Sequence, residues 1–149
     1  LQTIFNLLLF IHKKELLLIP IFSWYLKKIG SISITRNKTT KDNLGFFENI
    51  SKKIHNSNRP LIIFPQGTRV LPNERPKFKK GVSRIYEELK IECQPVAINS
   101  GFVWPKKGLK HCNKTITISI LKPLGFGLSK EEFNLNLENT IYKELDLLN

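Results

Sequence analysis

The 149-residue sequence predicts an α/β fold, a mostly parallel β-sheet flanked by helices, on the strength of three features. Segments of strand and helix character alternate along the chain, the order typical of such sheets. One apolar run, Leu61-Ile62-Ile63-Phe64, stands between Pro60 and Pro65. It is short and continuous enough for a strand buried on both faces at the centre of the sheet. Longer segments on either side carry one-sided apolar patterns, which suits helices that cover a sheet. No repeat, low-complexity segment or Pro/Gly-rich linker interrupts the chain, so a single domain over residues 1–149 is expected.

In chain order, Leu1 to Leu9 is expected to be helical and Phe10 to Leu16 a strand. A short helix over Ile21 to Ile29 follows Pro20 and stops at Gly30, the residue best suited to end it. Ser31-Ile32-Ser33-Ile34-Thr35 alternates in the manner of a strand. Between Thr40 and His55, Leu44, Phe47, Ile50 and Ile54 recur at spacings of three, three and four, one face of an amphipathic helix. Lys41, Asp42, Glu48, Lys52 and Lys53 fall largely on its other side. Beyond the central strand, Val82, Ile85, Tyr86 and Leu89 predict a helix over Gly81 to Lys90, and Pro95 to Ile98 and Thr115 to Leu121 read as strands. Ser129-Lys130-Glu131-Glu132 has the form of a capping box. The helix it starts would bury Phe133, Leu137, Ile141, Leu145 and Leu148. Tyr86, Phe126 and Phe133 are assigned to packing.

Composition narrows the partners. Hydrophobic residues make up 41% of the chain and charged residues 24%, with ten Phe, three Tyr and two Trp to bury, which argues against disorder. Lys and Arg total 24 against 12 Asp and Glu, a net charge of +12, dispersed as Lys13-Lys14, Lys27-Lys28, Lys52-Lys53, Lys79-Lys80 and Lys106-Lys107. Nucleic acid, an anionic membrane surface and a phosphorylated small substrate all suit such charge. A nucleic-acid module would want a basic stripe interleaved with exposed aromatics or a recognition helix, and neither is visible; Phe46 and Phe47 fall within an amphipathic helix. No nucleic-acid partner is therefore expected. The apolar stretches Leu7 to Ile11 and Leu16 to Ile19 are broken by His12 to Glu15 and by Pro20, well short of the ~18 residues of a membrane-spanning helix.

Cys93 and Cys112 are too few for a disulfide framework or a zinc site, and His111 beside Cys112 has no further ligands near it in sequence. A reducing, cytoplasmic setting is expected, with no metal and no bound cofactor. The sequence holds no Met and opens on Leu1. It reads as an N-terminally truncated fragment whose targeting information, if any, lies upstream.

Chemistry concentrates in Phe64-Pro65-Gln66-Gly67-Thr68-Arg69, directly after the predicted central strand, where ligands bind in α/β sheets. Pro65 stops the ladder, Gly67 allows close backbone approach, Thr68 offers a hydroxyl, and Arg69 offers a planar fork of donors suited to phosphate. A plain turn with a salt-bridged arginine is the competing account. The segment is not a Walker loop, since no Gly-Lys-Ser/Thr follows at the required spacing.

With its neighbours, this hexapeptide resembles the Phe-Pro-Glu-Gly-Thr-Arg signature of the glycerophospholipid acyltransferases, the 1-acylglycerol-3-phosphate acyltransferase family. Upstream, Lys13-Lys14-Glu15-Leu16, Ile19-Pro20-Ile21-Phe22-Ser23-Trp24 and Gly30-Ser31-Ile32-Ser33-Ile34-Thr35-Arg36 are similar to the family's second block. Downstream, Lys79-Lys80-Gly81 and Pro95-Val96-Ala97-Ile98-Asn99-Ser100-Gly101 resemble later blocks in the same order, and the resemblance covers about Leu1 to Leu124. It implies a glycerolphosphate acyltransferase-like fold and transfer of a fatty acyl group from acyl-CoA or acyl carrier protein to lysophosphatidic acid. The implied setting is an anionic membrane surface at its cytoplasmic face.

By the same resemblance Arg69 and Arg36 would hold the acceptor's phosphate, with Phe64, Pro65, Gln66, Gly67 and Thr68 shaping the substrate-binding loop. The family's base is a His with an acidic residue five positions later. Five residues after His12, His55 and His111 stand Leu17, Pro60 and Ile116, so no catalytic pair lies in this sequence and the dyad is expected upstream of Leu1. Two departures stand out: Gln66 replaces the family's Glu, keeping its size but losing its charge, and Thr35 replaces the common Asp before Arg36. If no such dyad exists, a non-catalytic binder of anionic lipid or phosphate is the alternative.

Trp24 and Tyr25 beside Lys27 and Lys28 suit a lipid interface. Phe22 and Trp24 equally suit the core. Asn99 and Trp104 are candidates for the site wall, although a turn at Gly101 would explain Asn99. Lys106, Lys107 and Lys110 could meet an acidic donor carrier or anionic lipid, or form a solvated loop.

Overall fold

A computed structural model describes residues 8–34, 40–57, 59–106, 108–111 and 113–148. The chain divides into two compact units, residues 1–63 and 64–149.

The first unit is built on a three-stranded parallel sheet of β1 (Leu9–Lys13), β2 (Ile32–Ile34) and β3 (Leu61–Ile62), in the order β2-β1-β3. Ile11 pairs with Ile32 and Lys13 with Ile34 on one side of β1, and Leu9 pairs with Leu61 on the other. Parallel neighbours need crossover connections. A 3-10 turn (Lys14–Leu18) and α1 (Pro20–Lys28) supply the first, and α2 (Thr40–Ser57) lies between β2 and β3.

Pro20 starts α1, where its missing N–H costs nothing, and Gly30 ends it at φ 71°. The Gly30 amide donates to Lys27 and the Ser31 amide to Leu26, a Schellman pattern that needs a left-handed residue at this position. Ser23, Leu26 and Ile29 on one face of α1 are buried, with Leu9, Ile32 and Ile50 completing this unit's core. Arg59 ties the connections together by donating to the carbonyls of Ile29 and Leu8.

The second unit packs two helices face to face, α3 (Lys80–Leu89) and a long C-terminal helix, here α5 (Lys130–Leu147), with the short α4 (Ser100–Val103) between them in sequence. Val82, Ile85, Tyr86 and Leu89 of α3 and Phe133, Leu137 and Ile141 of α5 are buried. Tyr86 stacks on Phe133 with ring centroids 3.9 Å apart. Its hydroxyl donates to the Gly125 carbonyl and accepts from the Leu128 amide, at 3.3 Å in the second case. The expected capping box is present: the Glu132 amide donates to Ser129 Oγ at 3.2 Å and the Ser129 amide to Glu132 Oε2 at 3.1 Å. Strands β4 (Val96–Ile98) and β5 (Ile118–Ile120) pair antiparallel, Ala97 opposite Ser119.

Several expectations need correction. The predicted central strand is an edge strand: β3 holds only Leu61 and Ile62, both half-buried, and β1 occupies the middle. The reason is the turn that follows, since Phe64 is 71% exposed and gives its carbonyl to the Gly67 amide rather than to a ladder. The first strand ends at Lys13, where the 3-10 turn takes over Lys14 to Leu18, so Leu16 is not in it. Leu9 belongs to that strand rather than to a helix; Leu1 to Leu7 lie outside the described residues. Phe126 is 72% exposed and is not a packing residue. Leu145 and Leu148 are only half-buried, so the buried stripe of α5 stops at Ile141. Trp24, 63% exposed, is not core.

Candidate functional site

The hexapeptide singled out in the sequence opens the second unit. Phe64 to Gly67 is a tight turn closed by a 3.0 Å bond from the Gly67 amide to the Phe64 carbonyl, with Pro at its second position and Gly at its fourth. Gly67 sits at φ 68°, the left-handed region in which a Cβ meets the following carbonyl. The Lys79 amide donates to the Pro65 carbonyl at 2.9 Å, joining the two ends of the 65–79 loop. Within it, Glu74 closes a smaller turn: its amide donates to the Leu71 carbonyl at 3.0 Å and its carboxylate accepts from the Leu71 amide at 2.9 Å.

Across from this loop stands the segment from Ile98 to Lys106. α4 comes so near that a Cβ on Gly101 would lie 3.4 Å from Pro72 Cγ. Between the two segments lies a cavity of about 470 Å³. Phe64, Gln66, Gly67, Thr68 and Arg69 are on its wall, as are Leu71, Arg75, Asn99, Trp104, Lys106 and Leu145. Pro65 is not; it shapes the turn. Arg36 and Thr35 lie outside the described residues.

The cationic groups on the wall differ in availability. Arg69 is exposed, and no ion pair or hydrogen bond engages it among the described residues. Arg75 is engaged: it donates to the Pro72 carbonyl at 2.6 Å and pairs with Asp146 at 2.6 Å. Lys106 is exposed, and Lys110 places its ammonium 3.8 Å from the ring centroid of Trp104. Glu74, the acidic residue on the wall, has its carboxylate on the Leu71 amide. The wall therefore offers one open guanidinium and one ammonium above an apolar lining of Phe64, Leu71, Phe102, Trp104 and Leu145. An anion attached to an apolar chain matches it.

Asn99 serves structure. Its side chain accepts from the Thr117 amide at 2.7 Å and donates to the Leu148 carbonyl at 3.3 Å, so its polar atoms are engaged while it borders the cavity. Tyr142 on α5 donates its proton to the Pro76 carbonyl. Burial is the main reason its phenol is raised above the ordinary tyrosine range; Glu138 adds to this, while Gln66 and Arg75 oppose it. Tyr142 thus stays protonated at neutral pH. Among the described residues no histidine or cysteine is on the wall, and the carboxylate there, Glu74, is held by the Leu71 amide, so this arrangement binds and orients.

Arg75, Tyr142 and Asp146 were not among the residues the sequence pointed to, and Leu145 was expected in the core rather than on the cavity wall. Arg75 follows a Pro-Asn-Glu turn, and the α5 residues stand some 70 positions from their partners, as in the separation of 71 between Arg75 and Asp146. A four-residue recurrence of polar groups on an amphipathic helix, Glu138, Tyr142 and Asp146, was the available signal.

A family model described as Acyltransferase matches residues 2–99. A 1-acyl-sn-glycerol-3-phosphate acyltransferase of Pseudomonas aeruginosa is 31% identical over 108 residues, 72% of this chain and 42% of that protein. The enzyme of the same name from Helicobacter pylori is 32% identical over 136 residues, 90% of this chain and 56% of that protein. The chain thus spans about half the length of these relatives. Among solved structures, PlsC, the 1-acyl-sn-glycerophosphate acyltransferase of Thermotoga maritima, superposes with a TM-score of 0.71 over 93% of this chain and 56% of that one, at 24% identity. That likeness establishes a shared fold.

Proposed function

Because this chain belongs to the Acyltransferase family, we propose that the protein transfers a fatty acyl group from an acyl thioester to 1-acyl-sn-glycerol-3-phosphate, forming phosphatidic acid, and that residues 64–106 bind the acceptor. The acceptor's identity follows the names of the relatives from P. aeruginosa and H. pylori. The observation that carries the reading is Arg69: an exposed guanidinium, engaged by no neighbour among the described residues, on the wall of a cavity whose apolar part is formed by Phe64, Leu71, Phe102, Trp104 and Leu145.

A lysophosphatidic acid presents a phosphate, a free glycerol hydroxyl and an acyl chain. In this reading the fork of Arg69 holds the phosphate, Thr68 adds a hydroxyl, and the lining from Phe64 to Leu145 takes the apolar part. Transfer requires the hydroxyl oxygen to attack the thioester carbonyl, the C–S bond to break, and the proton to pass through a base to the departing thiolate. The cavity wall holds no such base, and the His with its acidic partner belongs, in this proposal, to the remainder of the polypeptide. Acyl-CoA or acyl carrier protein serves as donor, and Lys106 and Lys110 beside Trp104 suit the acidic groups of either. The reaction takes place at the cytoplasmic face of an anionic membrane. In support, Ile21 and Trp24 on the outward face of α1 are 85% and 63% exposed beside Lys27 and Lys28.

Kinetics on the protein expressed from its complete reading frame test this. Arg69→Ala should lose about ten- to a hundredfold in kcat/KM for the phosphorylated acceptor, the worth of charged hydrogen bonds, and should narrow the preference over the matching monoacylglycerol. Arg69→Lys keeps charge without the fork and should fall between. A folded Arg69→Ala enzyme with the full wild-type preference would refute the phosphate assignment. An inactive protein with no His and acidic residue five apart in its complete reading frame would point to binding without catalysis.

A further inference from the structure

The loop that carries Arg69 is held from outside as well as by its own turns. Three side chains of α5 reach it, at successive four-residue steps along one helix face. Glu138 accepts from the Phe78 amide at 2.6 Å. Tyr142 donates to the Pro76 carbonyl and lays its ring 5.1 Å from that of Phe78. Asp146 pairs with Arg75 at 2.6 Å, and the same guanidinium stands 5.5 Å from the Tyr142 ring centroid. The neighbouring stripe of the helix, Phe133, Leu137 and Ile141, is buried and anchors α5 independently. Two stripes on one helix therefore divide the work: the apolar one fixes the helix, and the polar one grips the loop.

Tyr142 also meets the segment that closes on the turn: Pro76 and Phe78, which it holds, lie just before Lys79, whose amide donates to the Pro65 carbonyl at 2.9 Å. The Acyltransferase match ends at residue 99, whereas α5 begins at Lys130, so the family pattern does not supply this helix's role.

We propose that α5 clamps the anion-binding loop, with Tyr142 a positioning residue that acts through Pro76 and Phe78 to set where Arg69 meets the acceptor's phosphate. The proposal rests on the reading of that loop as the acceptor site.

Tyr142→Phe removes one hydroxyl and keeps the ring between Phe78 and Arg75. In the protein expressed from its complete reading frame, it should raise the acceptor KM about three- to tenfold, the range of one neutral hydrogen bond, with kcat within about twofold of wild type. The donor KM should not move, and the melting temperature should stay close to wild type. Combined with Asp146→Asn, the effect on acceptor KM should fall short of the product of the two single changes, because both loosen the same grip on one loop. An unchanged acceptor KM in Tyr142→Phe overturns the proposal. So does a multiplicative double variant, or a loss of kcat and melting temperature together at constant KM. Arg69→Ala separates the two levels. If it erases the preference for the phosphorylated acceptor while Tyr142→Phe leaves KM alone, only the clamp fails; if it leaves that preference intact, the acceptor-site reading falls as well.

Discussion

Gly67 and Arg69 divide a task that neither residue type could perform alone. The turn from Phe64 to Gly67 reverses the chain within four residues and ends in a left-handed conformation, and only then does the chain present Thr68 and Arg69 to the cavity. A side chain at Gly67 would cost about 1–2 kcal/mol in that conformation. Gly67→Ala is therefore expected to lower stability in denaturant titrations by about that amount, and to raise the acceptor KM as the loop shifts to relieve the strain. Unchanged stability would show that the turn accommodates a Cβ. Much of this was legible in the residues: Pro at the second turn position, Gly at the fourth, and a fork of donors two residues on. What was not legible is that Arg69 remains open while Arg75 does not. That difference depends on an aspartate 71 residues further along.

At the scale of elements, α5 shows how local chemistry and distant contact combine. Its start is written locally, in Ser129 and Glu132, whose reciprocal bonds satisfy free amides at the helix N-terminus. Ser129→Ala should cost about 1 kcal/mol, measurable as a lower midpoint in thermal or denaturant unfolding. The Ser129 hydroxyl, which also donates to Glu132 Oε2 at 2.7 Å, and after it the Ser129 amide hold the Glu132 carboxyl below its ordinary pKa. A lowered carboxyl pKa adds stability that is present above the unfolded value and disappears as pH falls through the folded one. The gap between wild type and Ser129→Ala should accordingly shrink on acidification below the ordinary Glu range; a gap that widened there would contradict the cap. The apolar stripe of α5 was equally legible as far as Ile141. Beyond it the same spacing misled, because Leu145 meets the cavity rather than the core.

For the whole molecule, the net charge of +12 and the exposed Leu18, Ile21 and Trp24 act in the same direction. Lys28 lies 5.0 Å from the Trp24 ring centroid, so an aromatic and a cation are presented side by side. Among the described residues no helix is long and apolar enough to cross a membrane. Co-sedimentation should show binding to anionic vesicles that weakens with salt, each lysine near the surface contributing about 1 kcal/mol. Replacing Lys27 and Lys28 by Glu should abolish most of it, and Trp24→Ala should weaken what persists in high salt. Equal binding to neutral and anionic vesicles would remove the electrostatic contribution.

The amino-acid sequence by itself determined what depends on neighbours a few residues apart: the helices that follow Pro20 and Ser129, the stop at Gly30, the alternating strand at Ile32, and the turn with its arginine. Propensity, capping and turn geometry are local interactions, and the chain states them directly. Tertiary structure decided which strand lies at the sheet's centre, since Leu61 and Ile62 have the hydrophobicity of a central strand but, among the described strands, β1 is the one with partners on both sides. It decided which of the two described arginines on the cavity wall stays open, because Asp146 reaches Arg75 and leaves Arg69 to solvent. It also decided that Tyr142 holds Pro76. Strand order, ion pairing and the grip of one helix on a distant loop arise from groups far apart in sequence, and their pairing is set only when the chain has packed.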